Sequence, residues 1–455
     1  MADTSMRDLV AGAHTVLEAN WTGDSTVPSR TLYPHQWSWD SAFIAIGRSR
    51  YDQPRAEREL LSLFDAQWSN GMLPHIVFSP DVGDADYFPS SAFWGAAATG
   101  RVPRGVRTSG ITQPPIHALA ALELYRNARD PDESLGFLRR LYPKLRAQHD
   151  YLARDRDPTG TGLPVIVHPW ESGLDNSPVW DRDLADLRIP AGAVQAYRRR
   201  DLEHAAAADR PTDAVYDAFV YLVIRYRDSG YDDAHLLESV PFAIAGPLFC
   251  AIYLSSTRAL AEIAGIIGAD PRPHEEAATR IQAAMIRELW DPVARRFYAR
   301  DVLSGHLEPE ETIVSFAPLL DEDLPADHLS AILDDLRSVC FHPEAGPHFI
   351  VPTYSLQSPA FDRRRYWRGP VWINTNWLLW RGLKLHGRHA EADEIARSSL
   401  ALVARSGFHE YFDPFDGSGH GSRDFAWTAA LALDLVEHLG DADRLDREGL
   451  GYLHG

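Results

Sequence analysis

Cysteine is scarce in this sequence: Cys250 and Cys340 are the only two among 455 residues. Both lie in apolar stretches without the paired spacing of a disulfide framework or a zinc site, so we expect two reduced thiols. Long hydrophobic runs are also missing, because the longest, residues 242–254, is too short to span a bilayer and contains a Gly-Pro pair. The N-terminus has no apolar signal core. The sequence therefore predicts a cytoplasmic protein with no export signal and no membrane span.

Positive charge is in short supply. Lys and Arg number 45 against 64 Asp and Glu, which gives a net charge of −19 and a pI near 5.4. Nucleic acids and anionic membranes bind basic surfaces, so this balance argues against either as the main partner. A small molecule is the expected partner, and the sequence leaves open whether the chain forms a homo-oligomer.

Motifs for cofactors, metals and serine nucleophiles are absent. No Gly-x-Gly-x-x-Gly follows a strand, no His-Glu-x-x-His or Gly-x-Ser-x-Gly occurs, and the glycine-rich stretch 417–421 lacks the lysine of a phosphate loop. The histidines at 35, 75, 117 and 168 are scattered, which is more typical of hydrogen-bonded pocket or core residues than of metal ligands. We expect neither a metal nor a cofactor.

Helical periodicity dominates what is present. Residues 6–20 form an amphipathic pattern, and charged helices with a solvated face are expected at 131–155, 196–209, 272–289, 325–338 and 389–404. They alternate with more apolar helices that open near Asp40, Gln113, Arg210, Pro241 and Pro370, with Ser38 or Asp40 as a helix cap. This alternation predicts an all-α fold in one domain over 1–455, a closed α/α toroid with the site where its inner helices begin. An irregular helical bundle is the alternative.

The stretch 168–181 (HPWESGLDNSPVWD) is the densest in chemistry. Asp and Asn beside Gly and Pro are ordinary turn formers, and a tryptophan often only anchors a loop, so a structural role is one interpretation. Here, however, two indoles flank carboxyl groups at a turn, and sugar sites stack rings on aromatic faces. Burial between indoles would raise the pKa of a carboxyl group. Asp175 is therefore the candidate general acid.

A second carboxyl group stands among aromatic residues at Glu410, ahead of several glycines. It could equally belong to a plain turn, as could Asp413 and Asp416. Paired with Asp175, it supplies what hydrolysis of a glycosidic bond needs: an acid to protonate the leaving oxygen and a carboxylate to activate water or attack the anomeric carbon.

Six stretches together resemble a known family, family 63 of the glycoside hydrolases, and within it the bacterial glucosylglycerate and mannosylglycerate hydrolases. They are YPHQWSWD at 33–40, GMLPH at 71–75, QPP at 113–115, WESGLDNSPVWD at 170–181, RYWRGPVWIN at 365–374 and EYFDP at 410–414. The resemblance covers nearly the whole chain in order. It implies an (α/α)6 barrel, an inverting mechanism with Asp175 as acid and Glu410 as base, and no obligatory cofactor.

The same resemblance implies which residues bind the substrate. Those expected around the sugar are Tyr33, Trp37, Trp39, Asp40, Gln113, Trp170, Gly173, Trp367, Trp372 and Trp427. Arg210 and Tyr216 match positions expected to hold a glycerate carboxylate, with Tyr87 and Tyr366 as helpers. Loop insertions near 70–112 and 156–180 are the expected cap over the site.

The resulting hypothesis is an inverting hydrolase of a small anionic α-glucoside, most simply 2-O-glucosylglycerate, with mannosylglycerate accepted or preferred. Its rivals are a trehalase-like hydrolase of neutral sugars, a sugar epimerase on a similar toroid and a non-catalytic sugar-binding or scaffold protein. An arginine facing the aglycone distinguishes the first rival. An epimerase would place histidines in the mouth as its acid and base, and a scaffold has no need of two carboxylates among indoles.

Overall fold

Helices make up most of the structure, a computed structural model that describes residues 6–199, 201–203, 209–342 and 349–447. Twelve longer helices and three short ones occur in the described ranges. In chain order they are α1 Met6–Asn20, α2 Ser38–Arg48, α3 Gln53–Phe64, α4 Ser91–Trp94, α5 His117–Asn127, α6 Pro131–Asp155, α7 Asp181–Asp186, α8 Asp213–Asp228, α9 Leu236–Ser239, α10 Pro247–Ile267, α11 Arg272–Leu289, α12 Ala326–Leu336, α13 Ile373–Leu385, α14 His389–Ser406 and α15 Ala426–Arg447.

Strands are short and antiparallel, and they fasten loops rather than form a layer. They are β1 Gln36–Trp37, β2 Ile76–Val77, β3 Ile244–Ala245, β4 Trp290–Asp291, β5 Arg296–Phe297, β6 Ala299–Asp301, β7 Leu307–Glu308, β8 Tyr411–Phe412 and β9 Gly419–His420. The pairs are β1 with β2, β4 with β5 and β8 with β9, while β6 lies between β3 and β7. The small hairpin expected near Arg296 is confirmed. The stretch 164–168 makes only one bridge, from Ile166 to Ile244.

The most apolar helices pack on one another in a closed order. Helix α2 contacts α5, α5 contacts α10, and α10 contacts a 3₁₀ segment, Ile313–Leu320, which contacts α13; helix α13 contacts α15, and α15 returns to α2. At Gly47 of α2 an added Cβ would lie 2.0 Å from the carbonyl oxygen of Ala430 in α15. Glycine there lets the two helix backbones touch, because no side chain separates them.

The amphipathic helices surround these inner elements. Helix α1 packs on α15, α3 on α2 and α5, α6 on α5 and α10, α11 on α10, α12 on the 3₁₀ segment, and α14 on α13 and α15. Each turns its apolar face inward; α6, for example, buries Phe137, Leu138, Leu141 and Leu145 while its charged residues stay near solvent. The prediction of inner helices is confirmed for α2, α5, α10 and α13, whereas α8, which was predicted as a further inner helix, is not part of this closed order.

Helix starts were less well predicted than helix positions. Helices α1 and α6 begin and end where the periodicity placed them. Neither Ser38 nor Asp40 caps α2, whose N-cap is Trp37 without a side-chain bond. Helix α5 begins four residues after Gln113, and α10 begins at Pro247 rather than Pro241. The prediction of a helix over 196–209 is wrong for the residues that the structure describes there, because 196–199 are not helical and 201–203 form one 3₁₀ turn. Residues 200 and 204–208 lie outside the described residues.

Among the described helices, α10 is the one long and apolar enough to cross a membrane by length and composition. In this fold it lies inside, with most of its residues buried and with α5, α6 and α11 packed around it. Its apolarity is therefore accounted for by its central position in the protein core.

Candidate active site

One cavity, about 990 Å³ with its open mouth, gathers nearly all of the predicted site residues. It lies where inner helices begin, at the starts of α2 and α15 and ahead of α5 and α13, as expected from the sequence. Both candidate catalytic residues line it, together with Tyr33, Trp37, Trp39, Asp40, Tyr87, Gln113, Trp170, Gly173, Arg210, Tyr216, Tyr366, Trp367 and Trp427. Residues from distant parts of the sequence therefore share one wall.

Glu410 is held by four hydrogen-bond donors. Its Oε1 accepts from the hydroxyls of Tyr33 at 2.7 Å and Tyr366 at 3.3 Å. Its Oε2 accepts from the backbone N–H of Ser422 at 2.9 Å and from Nη2 of Arg210 at 3.2 Å. Donors of this kind favour the charged carboxylate, which suits a group that must accept a proton.

Gly421 makes room for this arrangement. Its φ is +68°, and a Cβ added there would lie 2.3 Å from Oε2 of Glu410. The turn after strand β9 therefore needs glycine both for its backbone conformation and for the space that the carboxylate fills. The glycines after Glu410 are a visible signal in the sequence, yet only the structure shows which one contacts the carboxylate.

Asp175 is half-buried in the cavity wall without a comparable set of donors. Burial raises the pKa of Asp175 to about 7, the Arg210 guanidinium and the Trp367 indole oppose the shift, and the Glu410 carboxylate adds to it. A carboxyl group that keeps its proton near neutral pH has the property a general acid needs. The two carboxyl groups thus lie in different surroundings, because Glu410 accepts four hydrogen bonds and Asp175 lacks such a set of donors.

Asp40 is a third carboxyl group on the cavity wall, in the first turn of α2. Burial raises the pKa of Asp40 well above its ordinary value, and the charge of Glu410 raises it further. No side-chain hydrogen bond to it is made by the described residues. Its oxygens face the cavity, where they can pair with sugar hydroxyl groups.

Arg210 is the sole arginine or lysine among the described residues that line the cavity. The side chain is 3% exposed, its Nη1 donates to the Tyr33 hydroxyl at 3.2 Å, and its guanidinium carbon lies 4.6 Å from the centre of the Tyr366 ring. Its Nε–H has no partner in the described part of the chain. An incoming anion would meet this one cation.

Indole rings form much of the remaining wall. Trp39 stands edge-on to Trp427, and Gly173 leaves space for the Trp39 ring, because an added Cβ there would lie 2.5 Å from it. Buried indole N–H groups without a hydrogen-bond partner among the described residues include those of Trp37, Trp94 and Trp427. Apolar faces with unpaired donors at their edges suit a sugar ring and its hydroxyl groups.

Trp372, predicted to lie around the sugar, does not line the cavity. It is fully buried and stacks behind Trp367, with the ring centres 3.5 Å apart and the planes 11° apart. Its indole N–H donates to the backbone oxygen of Tyr366 at 3.1 Å. Trp372 therefore supports Trp367 and Tyr366 from behind, because α13 starts one layer deeper than the loop that precedes it.

The cavity also contains residues that sequence analysis did not select: Leu32, His75, Ile76, Phe88, Pro89, Trp94, Asp201, Pro211 and Phe425. His75 ends the GMLPH motif, which was a signal, and its pKa lies well below the ordinary value because of burial. Asp201 comes from the segment wrongly expected to be helical and pairs with Arg199 at 2.6 Å. Nothing in the surrounding charged stretch of sequence distinguished Asp201 from the other acidic residues near it.

One buried ion pair and one partly exposed ion pair fix the loops that carry the site. Glu171 pairs with Arg156 and accepts the backbone N–H of Thr112 at 3.0 Å, so this carboxylate anchors its loop and does not line the cavity. Arg368 pairs with Asp181, which joins the loop of Trp367 to the end of the Asp175 stretch. Among the described residues no cluster of histidine, cysteine or acidic side chains has the arrangement of a metal site.

Comparison with known proteins gives consistent matches over the whole site. Residues 33–428 match the family model described as the mannosylglycerate hydrolase MGH1-like glycoside hydrolase domain. A mannosylglycerate hydrolase of Rubrobacter radiotolerans is 43% identical over 96% of this chain and 98% of its own. A glucosylglycerate hydrolase of Mycolicibacterium hassiacum is 38% identical over 94% of this chain and 97% of its own.

A solved structure matches the fold as well. The family 63 mannosylglycerate hydrolase of Thermus thermophilus, crystallised with Tris and D-glycerate, superposes with a TM-score of 0.86 at 39% identity, over 93% of this chain and 99% of that one. The matched residues include both catalytic candidates and the whole cavity wall except Leu32. The chain belongs to the mannosylglycerate hydrolase MGH1-like family and is a glycoside hydrolase.

Proposed function

We propose that this hydrolase cleaves 2-O-α-glycosides of glycerate, glucosylglycerate and mannosylglycerate, to the free sugar and glycerate. The observation that carries the proposal is Arg210, a buried guanidinium on the wall of a cavity otherwise lined by carboxyl groups and aromatic rings. The relatives named for glycerate glycosides, and the Thermus structure with D-glycerate, support the same substrate class.

The aglycone carboxylate would bind at Arg210. A buried anion needs a compensating partner, and a guanidinium offers a planar fork that matches two carboxylate oxygens while staying charged. Tyr87, Tyr216 and Tyr366 line the same cavity and bring further hydroxyl donors. A neutral disaccharide has no carboxylate for Arg210, whose Nε–H has no partner among the described residues, and this disfavours the trehalase-like alternative.

The sugar would bind deeper, against the indoles of Trp39, Trp367 and Trp427, with Asp40 and Gln113 as partners for its hydroxyl groups. Gln113 is oriented by the backbone N–H of Trp39, which donates to its side-chain oxygen at 3.2 Å. Trp37, Trp170 and Gly173 complete this part of the wall. The sugar would thus be bound both by stacking on the apolar ring faces and by hydrogen bonds at their edges.

Hydrolysis would proceed in one displacement. The Asp175 carboxyl gives its proton to the glycosidic oxygen as the bond from that oxygen to the anomeric carbon breaks. A water attacks the anomeric carbon from the opposite face, and its proton passes to the Glu410 carboxylate. The products are glycerate and a sugar of inverted, β configuration. Proton exchange with solvent then reprotonates Asp175 and deprotonates Glu410.

Three further features belong to the proposal. The closed order of inner elements supports an (α/α)6 barrel in which the 3₁₀ segment Ile313–Leu320 takes the place of one inner helix. Loops within 70–112 and 156–180 contribute wall residues and so would form the cap of this single catalytic unit, joined by residues near 201–211. Cys250 and Cys340 are unpaired, which agrees with action in a reducing cytoplasm.

The proposal is tested with a panel of glycerate, glycolate and neutral α-glycosides, reading the fresh product by NMR. We expect release of β-glucose or β-mannose from the glycerate substrates first, and slower turnover of uncharged ones. Initial α-sugar would mean a retaining mechanism with Glu410 as nucleophile. Preference for trehalose, or a change of sugar configuration without release of glycerate, would refute the substrate assignment.

A variant at Arg210 tests the carboxylate contact. Arg210→Ala should lower kcat/KM for glucosylglycerate by roughly 10–150-fold, since a hydrogen bond to a charged group contributes about 1.5–3 kcal/mol. Circular dichroism and a thermal melt would confirm that the variant is folded. Unchanged kcat/KM in the folded variant would remove the main physical support for an acidic aglycone.

A further inference from the structure

Arg210 occupies a position between the catalytic base and the expected binding place of the aglycone. Its Nη2 donates to Glu410 Oε2, the oxygen that also accepts from Ser422, and its Nη1 donates to Tyr33, which itself donates to Oε1. Both ends of the guanidinium fork are therefore engaged with Glu410, one directly and one through a hydroxyl group. The same guanidinium, with its Nε–H and the remaining N–H groups of its fork, would have to meet a substrate carboxylate.

The hydrogen bonds at Glu410 leave little room for a water. A carboxylate offers about four acceptor positions, and four donors lie within bonding distance of Glu410: two tyrosine hydroxyls, one backbone N–H and Arg210. The nucleophilic water needs one of these positions to deliver its proton. The backbone donor is fixed, and the Tyr33 bond is the shortest of the four.

Two of the donors have another partner within reach. The Tyr366 hydroxyl lies 3.2 Å from that of Tyr33 and can donate there, whatever the substrate is. Arg210 is different, because its competing partner would be the carboxylate of the substrate. A single cation between two carboxylates divides its hydrogen bonds between them, so an anionic aglycone weakens the contact of Arg210 with Glu410.

We propose that Arg210 is a specificity switch as well as an anchor: it occupies Glu410 in the empty site, and the substrate carboxylate draws it away and frees an acceptor position for the attacking water. This inference rests on the proposed function, since it requires an acidic aglycone. It predicts that the charge of the aglycone acts on the rate of the chemical step in addition to binding. Neutral glycosides would bind to a site whose base is still occupied.

Glycosyl fluorides separate the two roles. In α-glucosyl fluoride or α-mannosyl fluoride the bond from the anomeric carbon to fluorine breaks, fluoride leaves without taking a proton, and the water still gives its proton to Glu410. Turnover therefore depends on the base and not on the acid. The small leaving group also leaves the aglycone region empty, so D-glycerate can be added there as a separate molecule.

The experiment measures fluoride release by the full-length protein with and without D-glycerate, and with glycerol as the neutral control of similar shape. We expect saturating D-glycerate to raise kcat for the fluoride on the order of tenfold, which is about 1.4 kcal/mol of activation free energy. Glycerol should have no such effect. Inhibition by D-glycerate, no effect, or equal stimulation by glycerol would each overturn the proposal.

Variants at position 210 give a second readout. Arg210→Ala should abolish the stimulation by D-glycerate, so that the ratio of kcat with and without it falls to about one. Arg210→Lys keeps a charge in the buried site and guards against loss of folding; a lysine cannot hold two partners in one fork, so its ratio should fall well below that of the wild type. A wild-type ratio in the folded Lys variant would show that the fork is not the switch.

Failure of this inference is separable from failure of the proposed function. Hydrolysis of glucosylglycerate and mannosylglycerate is measured on the same protein preparation. If those substrates are cleaved while fluoride release ignores D-glycerate, the substrate assignment stands and the switch is refuted. If they are not cleaved, the proposed function itself is refuted.

Discussion

Replacing Gly421 with alanine tests how closely the turn after strand β9 fits Glu410, the proposed catalytic base. The new Cβ would lie 2.3 Å from Oε2 of Glu410 and 2.7 Å from the ring of Tyr411. Ordinary contact begins near 3.4 Å, so the carboxylate oxygen must move by about 1 Å. A misplacement of that size at a reacting group costs on the order of 10²-fold in rate.

The substitution also has a cost for folding that must be separated from the cost for catalysis. Gly421 has φ +68°, and an L residue in that conformation loses about 1–2 kcal/mol. Gly100 provides the matched control: its φ is +69°, it is exposed, and an added Cβ meets nothing within 4 Å. Both alanine variants should lose this conformational free energy, and Gly421→Ala should lose about 1–3 kcal/mol more because its Cβ crowds buried groups. Only Gly421→Ala should lose kcat.

The assay is initial-rate kinetics on a glycerate glycoside, with urea unfolding of both variants alongside. We expect kcat of Gly421→Ala to fall by about 100-fold and that of Gly100→Ala to stay near the wild-type value. If Gly421→Ala kept kcat within about threefold of wild type, the turn would not be what places Glu410. Equal loss in both variants would assign the effect to the backbone conformation alone.

The two carboxyl groups and the wall behind Trp367 give further expected outcomes. Asp175→Asn and Glu410→Gln should each lower kcat by on the order of 10²–10⁴-fold with KM little changed, since both groups are proposed to act in the transition state. If either variant kept a tenth of the wild-type rate, its catalytic role would belong to another carboxyl group. A general acid must be protonated to act, and the pKa of Asp175 is raised to about 7. We therefore expect kcat/KM for a glycerate glycoside to fall tenfold per pH unit above about 7. A flat profile to pH 9 would contradict the assignment of Asp175 as the acid. Trp372→Phe should raise KM and lower the free energy of unfolding by about 0.5–1.5 kcal/mol, because Trp367 loses part of the ring that it stacks on. An unchanged KM would show that Trp367 does not depend on Trp372 for its position.

The local sequence pattern was sufficient to predict most of the outer helices, and together with the family resemblance it predicted most of the residues of the cavity. Helix α6 has the period, the Asp130 cap and the proline at its start that a single stretch of sequence contains, so its bounds could be predicted. The motif residues were chosen by type and by resemblance, and all but Trp372 line the cavity. Trp372 was misplaced because depth behind a wall depends on how α13 packs, which no local pattern records.

Helix starts near the site were predicted less well for a related reason. The stretch before α2 has good capping residues at Ser38 and Asp40, yet the pairing of β1 with β2 holds Trp37 extended and leaves the Asp40 carboxyl on the cavity wall. Tertiary contacts there override a local capping preference. In the segment with Asp201 the charged pattern predicted a helix over 196–209, and the described residues 196–199 and 201–203 do not form an α-helix.

The sequence by itself determined the helical class, the family and the two carboxyl groups that differ from their neighbours by standing among aromatic residues. Their chemical difference was decided by tertiary structure alone. Asp175 and Glu410 lie far apart in the chain, and only packing half-buries the first without strong donors while it surrounds the second with Tyr33, Tyr366, Arg210 and Ser422. A protonation state depends on burial and on nearby charges and donors in three dimensions, and these are set by the assembled fold.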